Sequence, residues 1–144
     1  MTSKITFELD GKSVAADAGE TIWEVAKREG TRIPHLCHVD MPGYRPDGNC
    51  RACMVEIDGE RVLAASCIRK PAEGMVVRTA TERAVKSRQM VVELLASNMR
   101  PPEESPDNQS MFWDWASSMG VAGSDRYPSK FADGHATAEF DVTN

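Results

Sequence analysis

No apolar run in the 144-residue sequence approaches the ~20 residues of a membrane-crossing helix, so no membrane span is expected. The opening MTSKITFELDGKS lacks the apolar core of a secretory signal, which makes the cytoplasm the expected location. The net charge is −5 and no basic stripe is visible, which argues against nucleic acid as a partner. No pair of carboxylates falls in a plausible site, no glycine loop would cradle a phosphate, and no Ser or Cys nucleophile stands beside a His. The chain alone is therefore expected to hold no catalytic site. Internal repeats and low-complexity tracts are also lacking. Hydrophobic residues make up 41% and charged residues 27%, an ordinary soluble composition. The length allows one domain, or a small domain with an appendage.

Cysteine is missing from most of the chain as well, before Cys37 and after Cys67. All four, Cys37, Cys50, Cys53 and Cys67, fall within 31 positions, spaced C-x12-C-x2-C-x13-C. Cytosolic thiols stay reduced, so this set reads as metal ligands rather than disulfides. Four thiolates close the coordination of a metal or cluster with nothing left over. Plant-type [2Fe–2S] ferredoxins use the same order with only four residues in the first gap. Spacing alone leaves alternatives open. Structural zinc sites usually show two C-x2–4-C knuckles, and here only Cys50 and Cys53 form one. A dithiol redox pair, Cys50 with Cys53, belongs at a helix N-terminus, where a hairpin strand is expected instead. His35 and His38 flank Cys37 as Rieske-type ligands would. Four cysteines already fill the site, so both are expected in supporting or surface positions, and His135 in solvent. Arg45, Arg51, Arg69 and Lys70 read as exposed charge near the loop.

The rest of the chain supports that loop. Residues 4–9 (KITFEL) alternate as a half-buried strand, Asp10-Gly11 signals a hairpin, and residues 12–15 return. Thr21 and Glu24 form a capping box for a helix striped by Ile22, Val25 and Ala26 that stops at Gly30, with Trp23 in the core. A second hairpin runs from residues 54–57 through Asp58-Gly59 to residues 61–65, and residues 75–78 form a last strand. Two hairpins, a helix and a late strand predict an α+β, β-grasp layout. Past a boundary near Thr79, Thr79 and Glu82 are expected to cap a helix reaching Asn98, with Ala84, Val85, Val91, Val92, Leu94 and Leu95 on its apolar side. Ser110 is the expected cap of a helix over residues 111–119, with Phe112, Trp115, Ala116 and Met119 on one face. Three regions follow: 1–78, 79–120 as a helical extension, and 121–144 as a linker or tail.

IPHLC, then GNCRACMVEIDGERVLAASCIRKP, within the C-x12-C-x2-C-x13-C frame, resembles the N-terminal [2Fe–2S] ferredoxin-like domain of the large iron–sulfur subunit of NADH dehydrogenases. The same domain occurs in NAD-reducing hydrogenases and in the alpha subunit of NAD-dependent, molybdenum- or tungsten-containing formate dehydrogenases. The resemblance is strongest to the last. In the NADH dehydrogenase branch the helix after the domain leads into H-x3-C-x2-C-x5-C, which binds a [4Fe–4S] cluster. Residues 98–109 here contain neither His nor Cys, so residues 79–120 form a degenerate counterpart without a cluster. The proline-rich acidic loop there, followed by FWDWASSMGV, again resembles the formate dehydrogenase subunit. The chain then reads as that subunit's N-terminal portion, or a separately encoded version of it.

The resemblance implies one [2Fe–2S] cluster bound by Cys37, Cys50, Cys53 and Cys67. It also implies two partners: a flavin- and NADH-binding iron–sulfur subunit, and a molybdenum or tungsten pterin catalytic domain or subunit. A hydride carries two electrons together, so a flavin must split the pair before a one-electron centre accepts either. The expected function is single-electron transfer between that flavin subunit and a remote redox site. The alternatives are a zinc-stabilised interaction module, or the equivalent subunit of an NADH dehydrogenase or NAD-reducing hydrogenase.

Overall fold

The computed structural model describes residues 3–127. Strands β1 (Ile5–Leu9) and β2 (Lys12–Ala16) pair antiparallel, with Leu9 opposite Lys12. Asp10 and Gly11 both have positive φ, 49° and 82°, as a two-residue type I′ turn requires. The alternation in β1 turns Phe7 and Leu9 into the core. Strand β3 (Met54–Ile57) pairs antiparallel with β4 (Ala64–Ala65) and with β5 (Val76–Arg78), which lies parallel to β1. The order β2-β1-β5-β3-β4 makes one mixed five-stranded sheet, so the expected α+β layout is observed.

Helix α1 (Ile22–Arg28) starts where its capping box puts it: Glu24 N–H donates to Thr21 Oγ1 at 3.3 Å, and Thr21 N–H to Glu24 Oε2 at 2.8 Å. Ile22, Trp23, Val25 and Ala26 join the sheet's core. Its first amides have no partner inside the helix, and two of them bond the cysteine segment. Ile22 N–H donates to Arg69 O at 2.9 Å and Trp23 N–H to Ser66 O at 3.0 Å. A pair of local signals in the sequence thus positions the segment carrying Cys67.

Three expectations need correction. The Asp58-Gly59 turn forms, with Glu60 N–H donating to Ile57 O at 3.1 Å, but the strands do not pair directly beyond it. Asp58 also bonds across the sheet: its N–H donates to Val76 O, and its carboxylate accepts two bonds from Arg78 at 2.9 Å each. The return strand shrinks to Ala64–Ala65. Thr79 does not cap helix α2 (Glu82–Ala96). Its N–H and hydroxyl both bond the Asp10 carboxylate, at 2.7 and 2.6 Å, and Thr81 accepts from Ala84 N–H instead. Leu94 and Leu95 are exposed, because a 3.6-residue period that turns Val92 and Ala96 inward points position 94 away.

The chain divides into two compact units, Met1–Val91 and Val92–Asn144, with the division falling inside α2. Within the second unit, a 3-10 turn at Pro102–Glu104 precedes α3 (Met111–Ser118). Ser110 caps α3 as expected. Val92, Ala96, Trp113 and Ala116 form a small core flanked by Met99, Phe112, Met119 and Val121. Trp113 sits in this core although the sequence reading left it off the apolar face. No helix of the described residues is long and apolar enough to cross a membrane.

Candidate functional site

The four cysteines come from two kinds of structure. Cys37 and Cys50 belong to the long loop between α1 and β3 and are half-buried, whereas Cys53, just before β3, and Cys67, just after β4, are sealed at 1% and 0% exposure. Met54 lies opposite Ala65 in the β3–β4 ladder, so this short strand pair brings Cys53 and Cys67 together. Ser66 fixes the approach: its hydroxyl donates to Cys53 O at 2.7 Å and its N–H to the same oxygen at 3.3 Å.

Backbone amides converge on the sulfurs. Cys37 N–H and Ala52 N–H both donate to Cys50 Sγ at 3.4 Å. Ala52, between Cys50 and Cys53, is buried and small. Burial opposes a thiolate at Cys37, but hydrogen bonds from Cys50, Asn49 and Gly48 outweigh it and lower the pKa. The hydrogen bond from Cys67 is the main cause that lowers Cys53 to about 6, with the Ser66 bonds assisting against burial. Cys67 moves the opposite way, raised first by that same shared proton, then by burial and by the charges on Cys53, Cys37 and Cys50. The thiols therefore fall into two linked pairs, Cys37 with Cys50 and Cys53 with Cys67, each within electrostatic reach of the other.

Gly48 is part of the cradle. Its φ is 69°, in the left-handed region that favours glycine, and an added Cβ would lie 2.7 Å from Ile68 Cδ1, so the end of that side chain would have to shift. Arg51 also takes a positive φ, 61°, beside Cys50. Amides aimed at sulfur, a side-chain-free crossing and four thiols in two pairs fit a two-iron cluster bridged by sulfide.

The histidines pack instead. His35 and His38 stand edge-on to Trp23, with ring centroids at 4.6 and 4.7 Å, and Trp23 Nε1–H donates to Ile33 O at 3.0 Å. Burial lowers the His35 pKa. His38 is 5% exposed, so a surface position does not hold for it: the loop folds it under Trp23. Arg45, Arg51 and Lys70 are exposed, while Arg69 pairs with Glu60. His135 lies outside the described residues. Sequence reading missed Ser66, Gly48 with Ile68, and Arg88, whose Nη1 donates to Met54 O and Thr79 O. The neighbour relation to Cys67 was a usable signal for Ser66. Arg88 had none.

Residues 2–82 match the family model described as a 2Fe-2S iron-sulfur cluster binding domain. Over 99 residues the chain is 36% identical to the NADP-reducing hydrogenase subunit HndD of Solidesulfovibrio fructosivorans, covering 67% of this chain and 17% of that protein. It is 36% identical over 96 residues to the mitochondrial NADH-ubiquinone oxidoreductase 78 kDa subunit of Candida albicans, covering 67% and 13%. A crystal structure of NAD+-reducing [NiFe]-hydrogenase in the H2-reduced state matches 86% of this chain and 52% of its own, at 31% identity and a TM-score of 0.69. The chain thus spans only a small part of the curated relatives. With its cysteine cradle and mixed sheet, it belongs to the 2Fe-2S iron-sulfur cluster binding domain family, an electron-transfer module whose cofactor is one [2Fe–2S] cluster.

Proposed function

We propose that Cys37, Cys50, Cys53 and Cys67 would hold the cluster, Cys37 and Cys50 as an outer pair and Cys53 and Cys67 as an inner pair. The pairwise linkage of the four thiols carries this reading. When bound, such a cluster takes up and releases one electron at a time. The chain's own contribution is a dry inner pair of ligands, an outer pair nearer solvent, and amide N–H groups that stabilise negative sulfur. Met41 and Tyr44, at 59% and 66% exposure, lie on the same loop as the outer pair.

The finer reading is a module that carries single electrons in the cytoplasm between a flavin- and NADH-binding iron–sulfur subunit and a molybdenum or tungsten pterin site of an NAD-dependent formate dehydrogenase. Its organisation is a cluster domain over residues 1–78, a cluster-free helical extension over 79–120 and a linker or tail over 121–144. Residues 98–109 support this branch, because they lack the His and Cys that a further cluster there would use. The equivalent subunit of an NADH dehydrogenase or NAD-reducing hydrogenase is the second reading, favoured by the 31% identity to the hydrogenase structure.

Two measurements test this. Anaerobically purified protein should contain two irons and two sulfides and bleach with dithionite, and Ser at any one of the four positions should remove or alter that signal. A colourless protein with one zinc, from cells competent in cluster assembly, would reject the ligand assignment. Isolation of the chain with its native partners, followed by assays with formate, hydrogen and NADH, separates the branches. Formate-dependent NAD+ reduction is the expected result, and hydrogen-dependent reduction selects the second reading.

A further inference from the structure

Arg88 lies on α2, far in sequence from the cysteines, yet its guanidinium reaches the strand that carries Cys53. Nη1 donates to Met54 O at 2.8 Å and to Thr79 O at 2.7 Å. Met54 directly follows Cys53 and pairs with Ala65, two positions before Cys67, so the clamp grips the ladder next to the inner ligands. Both acceptors are neutral carbonyls, and no acid among the described residues forms an ion pair with Arg88. Asp10, whose charge also acts on Arg88, uses both carboxylate oxygens on Thr79. Burial lowers the guanidinium pKa, and the charges on Asp10 and Cys53 oppose that. An arginine remains protonated through such shifts. A fixed positive charge is therefore held, half-buried, within electrostatic reach of an inner ligand, with the Asp10 carboxylate also in reach but hydrogen-bonded to Thr79 rather than to the guanidinium.

We propose that Arg88 is a positioning residue that raises the reduction potential of the [2Fe–2S] cluster, its fixed charge within reach of Cys53 favouring the more negative reduced state. This rests on the ligand assignment above. Reduction adds one negative charge to the site, and net charge and hydrogen bonding to the ligands set the potential of such centres. The partly buried position matters, because a charge in low dielectric is screened much less than one on the surface. Arg51, exposed on the loop, is held in no such way.

The test is an anaerobic redox titration of the full chain, followed by electron paramagnetic resonance, for wild type, R88K, R88M and R88Q, with iron and sulfide assays on each. Loss of the charge in R88M or R88Q should lower the reduced-to-oxidised ratio at a fixed potential about tenfold, or about 59 mV for one electron. R88K should stay within about twofold of wild type on the same scale. An unmoved midpoint in a neutral variant with full iron and sulfide overturns the proposal alone. A shift in R88K as large as in R88M overturns it too, since geometry rather than charge would then be the cause. Loss of the cluster from both neutral variants assigns Arg88 to holding the strand and overturns the electrostatic role. Absence of a two-iron signal in wild type overturns the ligand assignment, and this inference with it.

Discussion

The unit that ends at Val91 and the one that begins at Val92 solve different physical problems. The first must aim backbone amides at sulfur, and it does so with unusual conformers: positive φ at Arg51, Gly43 and Gly48 within one loop. Glycine takes such angles freely, but at Arg51 the left-handed conformer costs free energy, and a large surrounding core, from Phe7 to Val77, holds it in place. The second needs only to bury two helices' apolar stripes, and four buried residues, Trp113 among them, suffice. Apolar residues at the right period are enough where packing is the whole task. A site that must present backbone groups demands a scaffold that overrides local preference.

The largest expected effect separates the units outright. Cys53→Ser and Cys67→Ser, at the sealed positions, should abolish iron and sulfide binding, while circular dichroism from α3 persists. Next come two substitutions of similar chemical size. Phe7→Ala should cost about 3–5 kcal/mol and bring cluster bleaching to lower urea. Trp113→Ala, also about 3–5 kcal/mol within its own core, should leave the bleaching midpoint unchanged. If both variants move that midpoint equally, the units melt as one and the contrast drawn above fails.

A glycine pair sharpens the comparison at smaller scale. Gly48 and Gly120 have similar positive φ, 69° and 72°, but a Cβ on Gly120 meets open space. Gly120→Ala should cost about 1–2 kcal/mol from the left-handed backbone alone. Gly48→Ala should cost more than that and slow cluster assembly, because Ile68 must also shift; equal costs in denaturant titrations would mean that the close approach is easily relieved. The smallest effect lies in the second unit. Hydrogen bonds and charge from Arg126, with the Ser124 hydroxyl, hold Glu93 below its ordinary 4.5. A depressed carboxylate stabilises the fold above the unfolded value and loses that contribution as pH falls through the folded one. Carbon-13 titration of Glu93 should therefore give a midpoint under 4.5, and Arg126→Ala should return it upward.

Much of the first unit was legible because its signals are local. Alternation in residues 4–9, Asp10-Gly11, and the Thr21–Glu24 box each fix φ and ψ within a few residues, and each reappears in the structure. The four cysteines were legible by composition, since nothing else in the chain carries thiol chemistry. Thr79 misled for the same reason that Thr21 did not. Both have Glu three positions on, but Thr79 meets Asp10, 69 residues away, and a carboxylate accepting from both its N–H and its hydroxyl prevails over a cap. The helix then takes Thr81.

By itself, then, the sequence determined the hairpin, the capped helix, the cysteine set and the α+β class, because these follow from backbone preferences and side-chain chemistry over short spans. Only the closed tertiary structure decided which thiols pair, that His38 lies buried under Trp23, that Ile68 fills the space beside Gly48, and that Arg88 reaches across 34 residues to Met54. Those contacts join segments with no local preference for one another. They exist because the sheet order and the packed core leave each group one place where its hydrogen bonds or its volume can be satisfied.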